Sequence, residues 1–136
     1  AYMNGRVRSY MPTKYQKWKR AATFEFKRQA EQEPFDGPVK IKITFIYKRP
    51  KNLLRKKDPP HRLPKATLPD IDNLAKSCLD ALQDAGVLKN DSTVVSLILH
   101  KYYGAVGPDK IPEGDRIEIS VEDFIYNILK PSDINR

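Results

Sequence analysis

The amino-acid sequence predicts the α+β class, with a small mixed β-sheet flanked by two main helices in a single domain that spans residues 1–136. Two segments repeat apolar residues at helical spacing, and three others have the alternation or the apolar content of β-strands. A chain of 136 residues is also long enough for one domain to bury roughly two thirds of the surface that its unfolded form exposes. Strands mixed with two helices indicate α+β packing around one core.

The first helix is predicted from Thr13 to about Glu31. Pro12 and a Thr13 cap mark its start, and its outer face is rich in Lys and Arg. Its apolar stripe consists of Tyr15, Trp18, Ala22, Phe26 and Ala30.

A strand over residues 39–47 and a long loop follow this helix. Val39, Ile41, Ile43, Phe45 and Tyr47 alternate with other residues, which is typical of a half-buried strand. Residues from about 48 to 68 are rich in proline and in cations and have no stable period, which predicts an exposed loop. Loops of this length are either functional or disordered.

A second helix is predicted from Asp72 to about Ala85, because its apolar and polar residues separate onto two sides at about 100° per residue. Gly86 is expected to end it. The apolar side consists of Ile71, Leu74, Ala75, Cys78, Ala81, Leu82 and Ala85.

Two further strands complete the predicted sheet. Residues 93–103 are apolar on both faces, which predicts a central strand. In residues 116–124, Ile117, Ile119 and Val121 alternate with polar side chains, which predicts another strand. Residues from about 125 to 136 are expected to form a C-terminal tail or a short helix.

The chain is strongly basic, with 25 Lys and Arg against 17 Asp and Glu and a formal net charge of +8. Residues 1–28 and residues 48–65 each carry eight basic side chains and one acid. This balance favours a polyanionic partner, either nucleic acid or an acidic membrane surface. A single cysteine allows no intrachain disulfide, and no apolar run approaches the roughly 18 residues of a membrane-spanning helix. A cytoplasmic protein without a membrane segment is predicted.

Carboxylates collect around the second helix of this basic chain. Asp70 and Asp72 precede or open the helix, and Asp91 stands just before the predicted central strand. Each has an ordinary structural explanation when taken alone. Asp72 would serve as a helix cap, Asp70 would interact with the helix dipole, Asp91 would be a turn residue, and Asp80 would pair with Lys76.

Taken together, the aspartates predict a divalent-metal site. Hard carboxylate oxygens suit Mg²⁺ or the alternative Mn²⁺, which take one or two carboxylates and complete their coordination with water and substrate phosphate. Without a metal ion, clustered carboxylates would repel DNA. Lys76, one helical turn after Asp72, would stabilise charge on a reacting phosphate or orient the attacking water.

The stretch "PDIDNLAKSCLDALQDAGVLKNDSTVV" resembles the signature of the RusA-type Holliday junction resolvases, in which D-x-D-N-L-x-K is followed by D-A-L, an acidic pair before a strand, and a further lysine. The resemblance is densest over residues 69–101. The matching residues are Asp70, Asp72, Asn73, Leu74, Lys76, Asp80, Ala81, Leu82, Asp91 and Lys101. Asn90 stands in place of one member of the acidic pair, and the family's basic opening with its strand has no counterpart upstream of Tyr2.

The resemblance implies a homodimeric, Mg²⁺-dependent endonuclease of bacteria or their phages that makes paired symmetric nicks in four-way DNA junctions. Asp70, Asp72 and Asp91 would bind the metal, and Lys76 would be the catalytic lysine beside them. The expected DNA-binding residues are Arg6, Arg8, Lys14, Lys48, Arg49, Lys51, Arg55, Lys56, Lys57, Arg62, Lys65 and Lys101.

Two other functions stay open on the sequence. The first is a non-catalytic, basic DNA- or RNA-binding protein whose aspartates are helix-cap and turn residues. The second is a single-stranded RNA nuclease or another metal nuclease that acts on a different substrate. A zinc protein is not indicated, because one Cys and two separated His residues lack the required spacing.

Overall fold

A computed structural model describes residues 13–30 and 33–124. The helices and strands follow in the order α1 (Thr13–Gln29), β1 (Val39–Tyr47), β2 (Leu63–Pro64), α2 (Ile71–Asp84), β3 (Val94–Tyr103) and β4 (Arg116–Asp123). Short 3₁₀ turns cover Lys51–Leu53 and Asp91–Thr93. The tail predicted at about 125–136 lies outside the described residues.

The four strands form one mixed sheet in the order β2-β3-β1-β4. Strand β1 pairs with β3 in parallel and with β4 in antiparallel fashion, and β2 pairs with β3 in antiparallel fashion. Two helices with a four-stranded mixed sheet confirm the predicted α+β class.

Strand β1 carries the apolar core of the sheet. Val39, Ile41 and Ile43 are completely buried, while Lys40 and Lys42 between them are exposed. This alternation confirms the predicted strand, because successive side chains of a strand point to opposite faces. Along the second half of β1 the burial continues on both faces, through Phe45 and Ile46.

Strand β3 is interior to the sheet as predicted, and the two-residue β2 pairs with its outer edge at Tyr102 and Tyr103. In the first half of β3, Val95 and Leu97 are 55% and 39% exposed. The predicted central position is confirmed, although this part of the strand is not covered on both faces.

The described residues divide into two compact units. The first contains α1, residues 33–36 and Lys76–Asp91. In it Phe35 and Leu88 form an isolated parallel bridge, with the Phe35 N–H donating to the Val87 carbonyl at 2.9 Å. The second unit contains Gly37–Ala75 and residues 92–124, and it includes the whole sheet. The single-domain prediction stays a prediction.

Helix α2 begins and ends close to the predicted residues. Its predicted apolar side is confirmed by the burial of Cys78, Ala81 and Leu82, each at most 2% exposed. Burial raises the pKa of the Cys78 thiol to about 12, which makes this cysteine unreactive at neutral pH. At the other end, Gly86 has φ +78°, and the Val87 N–H donates to the Leu82 carbonyl at 3.0 Å, closing the helix in a Schellman motif.

Residues 48–68, which we call the basic loop, are mostly exposed as predicted, and they are joined by hydrogen bonds that the sequence pattern did not predict. The guanidinium of Arg49, only 3% exposed, donates to the carbonyls of Gly104, Leu53, Pro59 and His61 at 2.6–3.0 Å. Loop carbonyls lack strand partners, and the five N–H donors of one arginine supply them. The basic loop is therefore built around a buried cation.

Candidate active site

Asp70 and Asp72 lie at the start of α2. Asp70 occupies the position before the helix, and its carbonyl accepts the first helical hydrogen bond, from the Leu74 N–H at 3.2 Å. Asp72 lies in the first turn, and its Oδ1 accepts the Asn73 N–H at 3.0 Å. Both side chains are exposed, and neither carboxylate forms an ion pair with any residue in 13–30 or 33–124.

The Asp70 carboxylate accepts no hydrogen bond from the part of the chain that the structure describes, although this residue stands at the cap position. A capping aspartate ordinarily accepts an N–H of the first turn. The interpretation of Asp70 as a plain helix cap therefore has no hydrogen bond to support it. The helix start nevertheless favours negative charge there, because unpaired N–H groups converge at that end.

Lys76 is exposed on α2, four residues after Asp72. The structural explanation of the sequence pattern pairs it with Asp80, but no salt bridge joins these two side chains. Its ammonium therefore remains available to a ligand.

Asp91 opens the 3₁₀ turn that precedes β3, and its carboxylate is exposed. Its N–H donates to the Gln83 side-chain oxygen at 3.1 Å, which ties this turn to the end of α2. Asp91 belongs to the first unit, whereas Asp70 and Asp72 belong to the second. Across the described residues, no group of three or more His, Cys, Asp or Glu side chains is arranged to hold a metal ion. The three-carboxylate site stays a prediction.

The segment that leads into Asp70 is held by two lysines from the predicted DNA-binding set. The Lys101 ammonium donates to the carbonyls of Thr67 and Pro69, each at 2.5 Å. The Lys65 ammonium donates to Thr67 Oγ1 at 2.6 Å and to the Leu68 carbonyl at 2.8 Å. Sequence reasoning missed this role, because residues 67–69 and Lys101 are more than thirty positions apart in the chain.

Arg62, whose DNA contact stays a prediction, also has a structural role. Its guanidinium binds Glu113 through two N–H···O bonds of 2.9 and 3.0 Å, and Glu118 through two more of 3.0 and 3.1 Å. The hydrogen bonds that Glu113 accepts from Arg62, and then the one from the Ala105 N–H, lower the pKa of Glu113 to about 2. The pKa of Glu118 is also lowered, first by Arg62. An arginine engaged by two carboxylates is a poor phosphate ligand, because a phosphate would have to displace them.

The remaining expected DNA-binding residues fall into three groups. Arg49 is buried among backbone carbonyls, and Arg55 is paired with Asp58 at 3.2 Å. Arg6 and Arg8 lie outside the described residues, as does the side chain of Lys14. Four exposed lysines of the basic loop form no ion pair with the described residues, namely Lys48, Lys51, Lys56 and Lys57.

A cavity of about 680 Å³ lies beside the basic loop, lined by Leu54, Lys56 and the turn at residues 106–110. Lys110, at the rim of this cavity, is an exposed cation that the sequence analysis did not single out. The lining includes none of the three aspartates Asp70, Asp72 and Asp91. This cavity therefore adds cationic surface near the loop and does not coincide with the acidic residues.

A chain of net charge +8 favours a polyanionic partner, and Asp70, Asp72 and Asp91 are exposed carboxylates within it. Comparison with known proteins identifies the family. The family model described as Endodeoxyribonuclease RusA matches residues 1–122, so the chain belongs to the RusA family. No helix among the described residues is long and apolar enough to span a membrane.

Two relatives were found by sequence comparison. A crossover junction endodeoxyribonuclease RusA of Aquifex aeolicus (strain VF5) is 28% identical over 85 residues, which is 62% of this chain and 55% of that protein. An uncharacterized protein YqaN of Bacillus subtilis (strain 168) is 26% identical over 125 residues, which is 88% of this chain and 82% of that protein. The match therefore covers little more than half of the Aquifex protein.

Proposed function

We propose that this protein is a divalent-metal-dependent endodeoxyribonuclease that resolves four-way DNA junctions by paired symmetric nicks. Membership of the RusA family supports this function. The observation that carries it is the exposed pair Asp70 and Asp72, which no described cation neutralises although the chain as a whole is strongly basic. Carboxylates without an ion-pair partner among the described residues are available to a metal ion.

The residues fit a hard divalent cation. Mg²⁺ commonly takes one or two carboxylates and fills its other positions with water and phosphate oxygens, so Asp70 and Asp72 suffice as the protein part of such a site. Asp91 is assigned as the third carboxylate because it matches the family pattern. A bound Mg²⁺ or Mn²⁺ would supply Lewis-acid stabilisation of the scissile phosphate.

The other residues act on the DNA directly. The Lys76 ammonium would stabilise the negative charge that develops on the phosphate, or orient the attacking water. Lys48, Lys51, Lys56 and Lys57 would bind flanking phosphates, so binding would weaken as salt rises. We further infer a homodimer, because a two-fold axis places two identical sites to make two symmetric cuts. A DNA substrate accords with the bacterial cytoplasm or the phage origin predicted from the sequence.

Junction cleavage tests the proposal. Purified protein incubated with a synthetic four-way junction and Mg²⁺ should produce nicks in two opposed strands, while the linear duplex of the same sequence stays largely intact. Asp70→Asn and Asp91→Asn should abolish cutting and retain junction binding. Asp123→Asn is the matched control, because Asp123 is an exposed aspartate at the end of β4. An intact junction after incubation of the parent protein with Mg²⁺ and with Mn²⁺ would reject the enzymatic function.

A non-catalytic nucleic-acid-binding protein is the second candidate. The hydrogen bond from the Asn73 N–H to Asp72 Oδ1 favours it, because this contact gives Asp72 a structural role at the helix start. On this alternative Mg²⁺ would not change the melting temperature of the parent protein. On the nuclease proposal Mg²⁺ raises it, and Asp70→Asn removes the increase.

A further inference from the structure

Asp70 follows a segment that has no apolar anchor of its own. Residues 66–69 are all exposed, and Leu68 is 77% exposed. Burial therefore does not fix the position of this segment, and hydrogen bonds have to do so. Its carbonyl oxygens at Thr67, Leu68 and Pro69 all accept bonds from lysine ammonium groups.

The two lysines that make these bonds are themselves fixed. Lys101 lies in β3, where its carbonyl accepts the Lys65 N–H at 3.0 Å and extends the pairing of β2. The Lys65 ammonium lies 5.0 Å from the ring centre of Tyr47 and 5.1 Å from that of Tyr103, which is within range of cation–π attraction to each ring. Both ammonium groups thus connect the segment to the sheet.

Hydrogen bonds from an ammonium are charge-assisted and stronger than those between neutral groups. An ammonium has three N–H donors, and Lys101 directs two of them to the carbonyls of Thr67 and Pro69. The next residue, Asp70, is held from the other side by the hydrogen bond of its carbonyl with the Leu74 N–H. The backbone of Asp70 is therefore restrained at both ends.

We propose that Lys101, assisted by Lys65, is a positioning residue that fixes the backbone of Thr67–Pro69 and thereby presents the Asp70 carboxylate to a divalent cation. This inference rests on the proposed nuclease function. It replaces a direct phosphate contact as the principal role of Lys101. Outer groups that orient a metal ligand typically change metal affinity or activity about 10- to 100-fold when they are removed.

The test compares Lys101→Met with Lys42→Met. Lys42 is an exposed lysine of β1 whose side chain forms no hydrogen bond with any described residue, so its replacement makes the same change of charge on the same sheet. Lys101→Arg keeps donors at the critical position, and Lys65→Met removes the second anchor. Three quantities are measured for each variant: the increase of melting temperature caused by Mg²⁺ alone, kcat on a four-way junction, and metal-free junction affinity over a range of salt.

Lys101→Met should lower kcat about 10- to 100-fold and reduce the Mg²⁺-dependent increase of melting temperature, with junction affinity changed less than about threefold. Lys101→Arg should recover part of both losses, and Lys42→Met should leave both unchanged. If Lys101→Met fails to fold, Lys65→Met and Lys101→Arg provide the same comparison, with smaller expected losses.

A different pattern would overturn the inference. If Lys101 mainly contacts phosphate, Lys101→Met will weaken metal-free binding and reduce the slope of log K against log salt by about 1, with the Mg²⁺ effect on melting unchanged. Equal behaviour of Lys101→Met and Lys42→Met would also overturn it. A parent protein that responds to Mg²⁺ through Asp70 but cuts no junction would reject the proposed function alone. A parent without any Asp70-dependent Mg²⁺ response would reject both.

Discussion

Two arginines of the basic loop and two aspartates of the acidic segment, defined as residues 70–91, use their charges in opposite ways. In the basic loop the guanidinium groups of Arg49 and Arg62 are engaged by backbone carbonyls and by Glu113 and Glu118. In the acidic segment the carboxylates of Asp70 and Asp91 have no ion pair within the described ranges.

This difference separates structural charges from functional ones. Removing a partnered charge leaves its partners unsatisfied, which lowers stability. Removing an exposed, unpartnered charge changes little in the fold but removes a ligand-binding group. The distribution of partners is therefore more informative than the number of charges, and it predicts which substitutions affect stability and which affect activity.

The largest expected effect is on activity in the acidic segment. Asp70→Asn should lower the rate of junction cleavage by at least about 100-fold, because a neutral amide is a much weaker ligand for a hard cation. The free energy of unfolding without metal should change by less than about 0.5 kcal/mol, as is usual for a surface substitution. Cleavage assays and urea unfolding measure the two quantities. A large loss of stability with little loss of cutting would show that Asp70 has a structural role and not a ligand-binding one.

The next largest effect is on stability in the basic loop. Arg49→Met should lower the free energy of unfolding by about 3 kcal/mol, since four carbonyl oxygens lose their donor. Junction affinity measured well below the melting temperature should change less than that of the Lys56→Gln variant, because Arg49 is buried and Lys56 is exposed. Chemical denaturation and binding assays check both statements. A stable Arg49→Met protein with weakened DNA binding would contradict them.

A smaller effect, dependent on pH, is expected at Glu113. The Arg62 guanidinium holds the pKa of Glu113 at about 2 in the folded protein, below its ordinary value of 4.5. Because the folded pKa is the lower one, the stabilisation is complete above about 4.5 and is lost as the pH falls towards 2.

Glu113→Gln should therefore destabilise the protein by about 1–2 kcal/mol at pH 6, after allowance for partial solvent screening, and by less at pH 3. Urea unfolding of the parent and the variant at both pH values measures this difference. A destabilisation that does not shrink between pH 6 and pH 3 would show that this carboxylate does not titrate as the geometry requires.

The smallest effect is expected at the unpartnered lysines. Replacing Lys56 and Lys57 together by Gln should reduce the slope of log K against log salt by about 2, with no change in stability. Arg62→Gln should lower stability and leave the slope nearly unchanged, because Arg62 is engaged by Glu113 and Glu118. Binding isotherms at several salt concentrations compare these proteins. Equal slopes for the parent and the double variant would place the DNA contacts elsewhere.

Local patterns were sufficient to predict most of the fold. Helix α2 was predicted within one residue at each end, because its apolar periodicity and Gly86 are local signals. Helix α1 ends two residues before the predicted Glu31, and β1 follows its predicted alternation. The exposure of Val95 and Leu97 in β3 was not predictable, because an apolar strand pattern does not show which elements pack on each face. The two-residue strand β2 was also not predicted, because it lies in a proline-rich stretch.

The hydrogen-bond partners of the basic residues also could not be predicted from the sequence. In the sequence, nothing distinguishes Arg49 from the other cations of the basic loop. Its buried guanidinium donates to the Gly104 carbonyl, which is 55 residues away in the chain. Lys101 matched the family pattern, but its bonds to Thr67 and Pro69 depend on how β3 passes the segment before α2. The exposed positions of Asp70, Asp72 and Lys76 agree with their predicted place at the helix start and on its polar side.

Direct binding of Mn²⁺ to the protein without DNA, followed by electron paramagnetic resonance, tests the central claim most directly. If carboxylates without ion-pair partners form the metal site, the parent will bind Mn²⁺. This binding will be weakened at least about tenfold by each of the substitutions Asp70→Asn, Asp72→Asn and Asp91→Asn. The Asp123→Asn protein will bind Mn²⁺ like the parent. Equal Mn²⁺ affinity of the parent and the Asp70→Asn, Asp72→Asn and Asp91→Asn proteins would contradict the account.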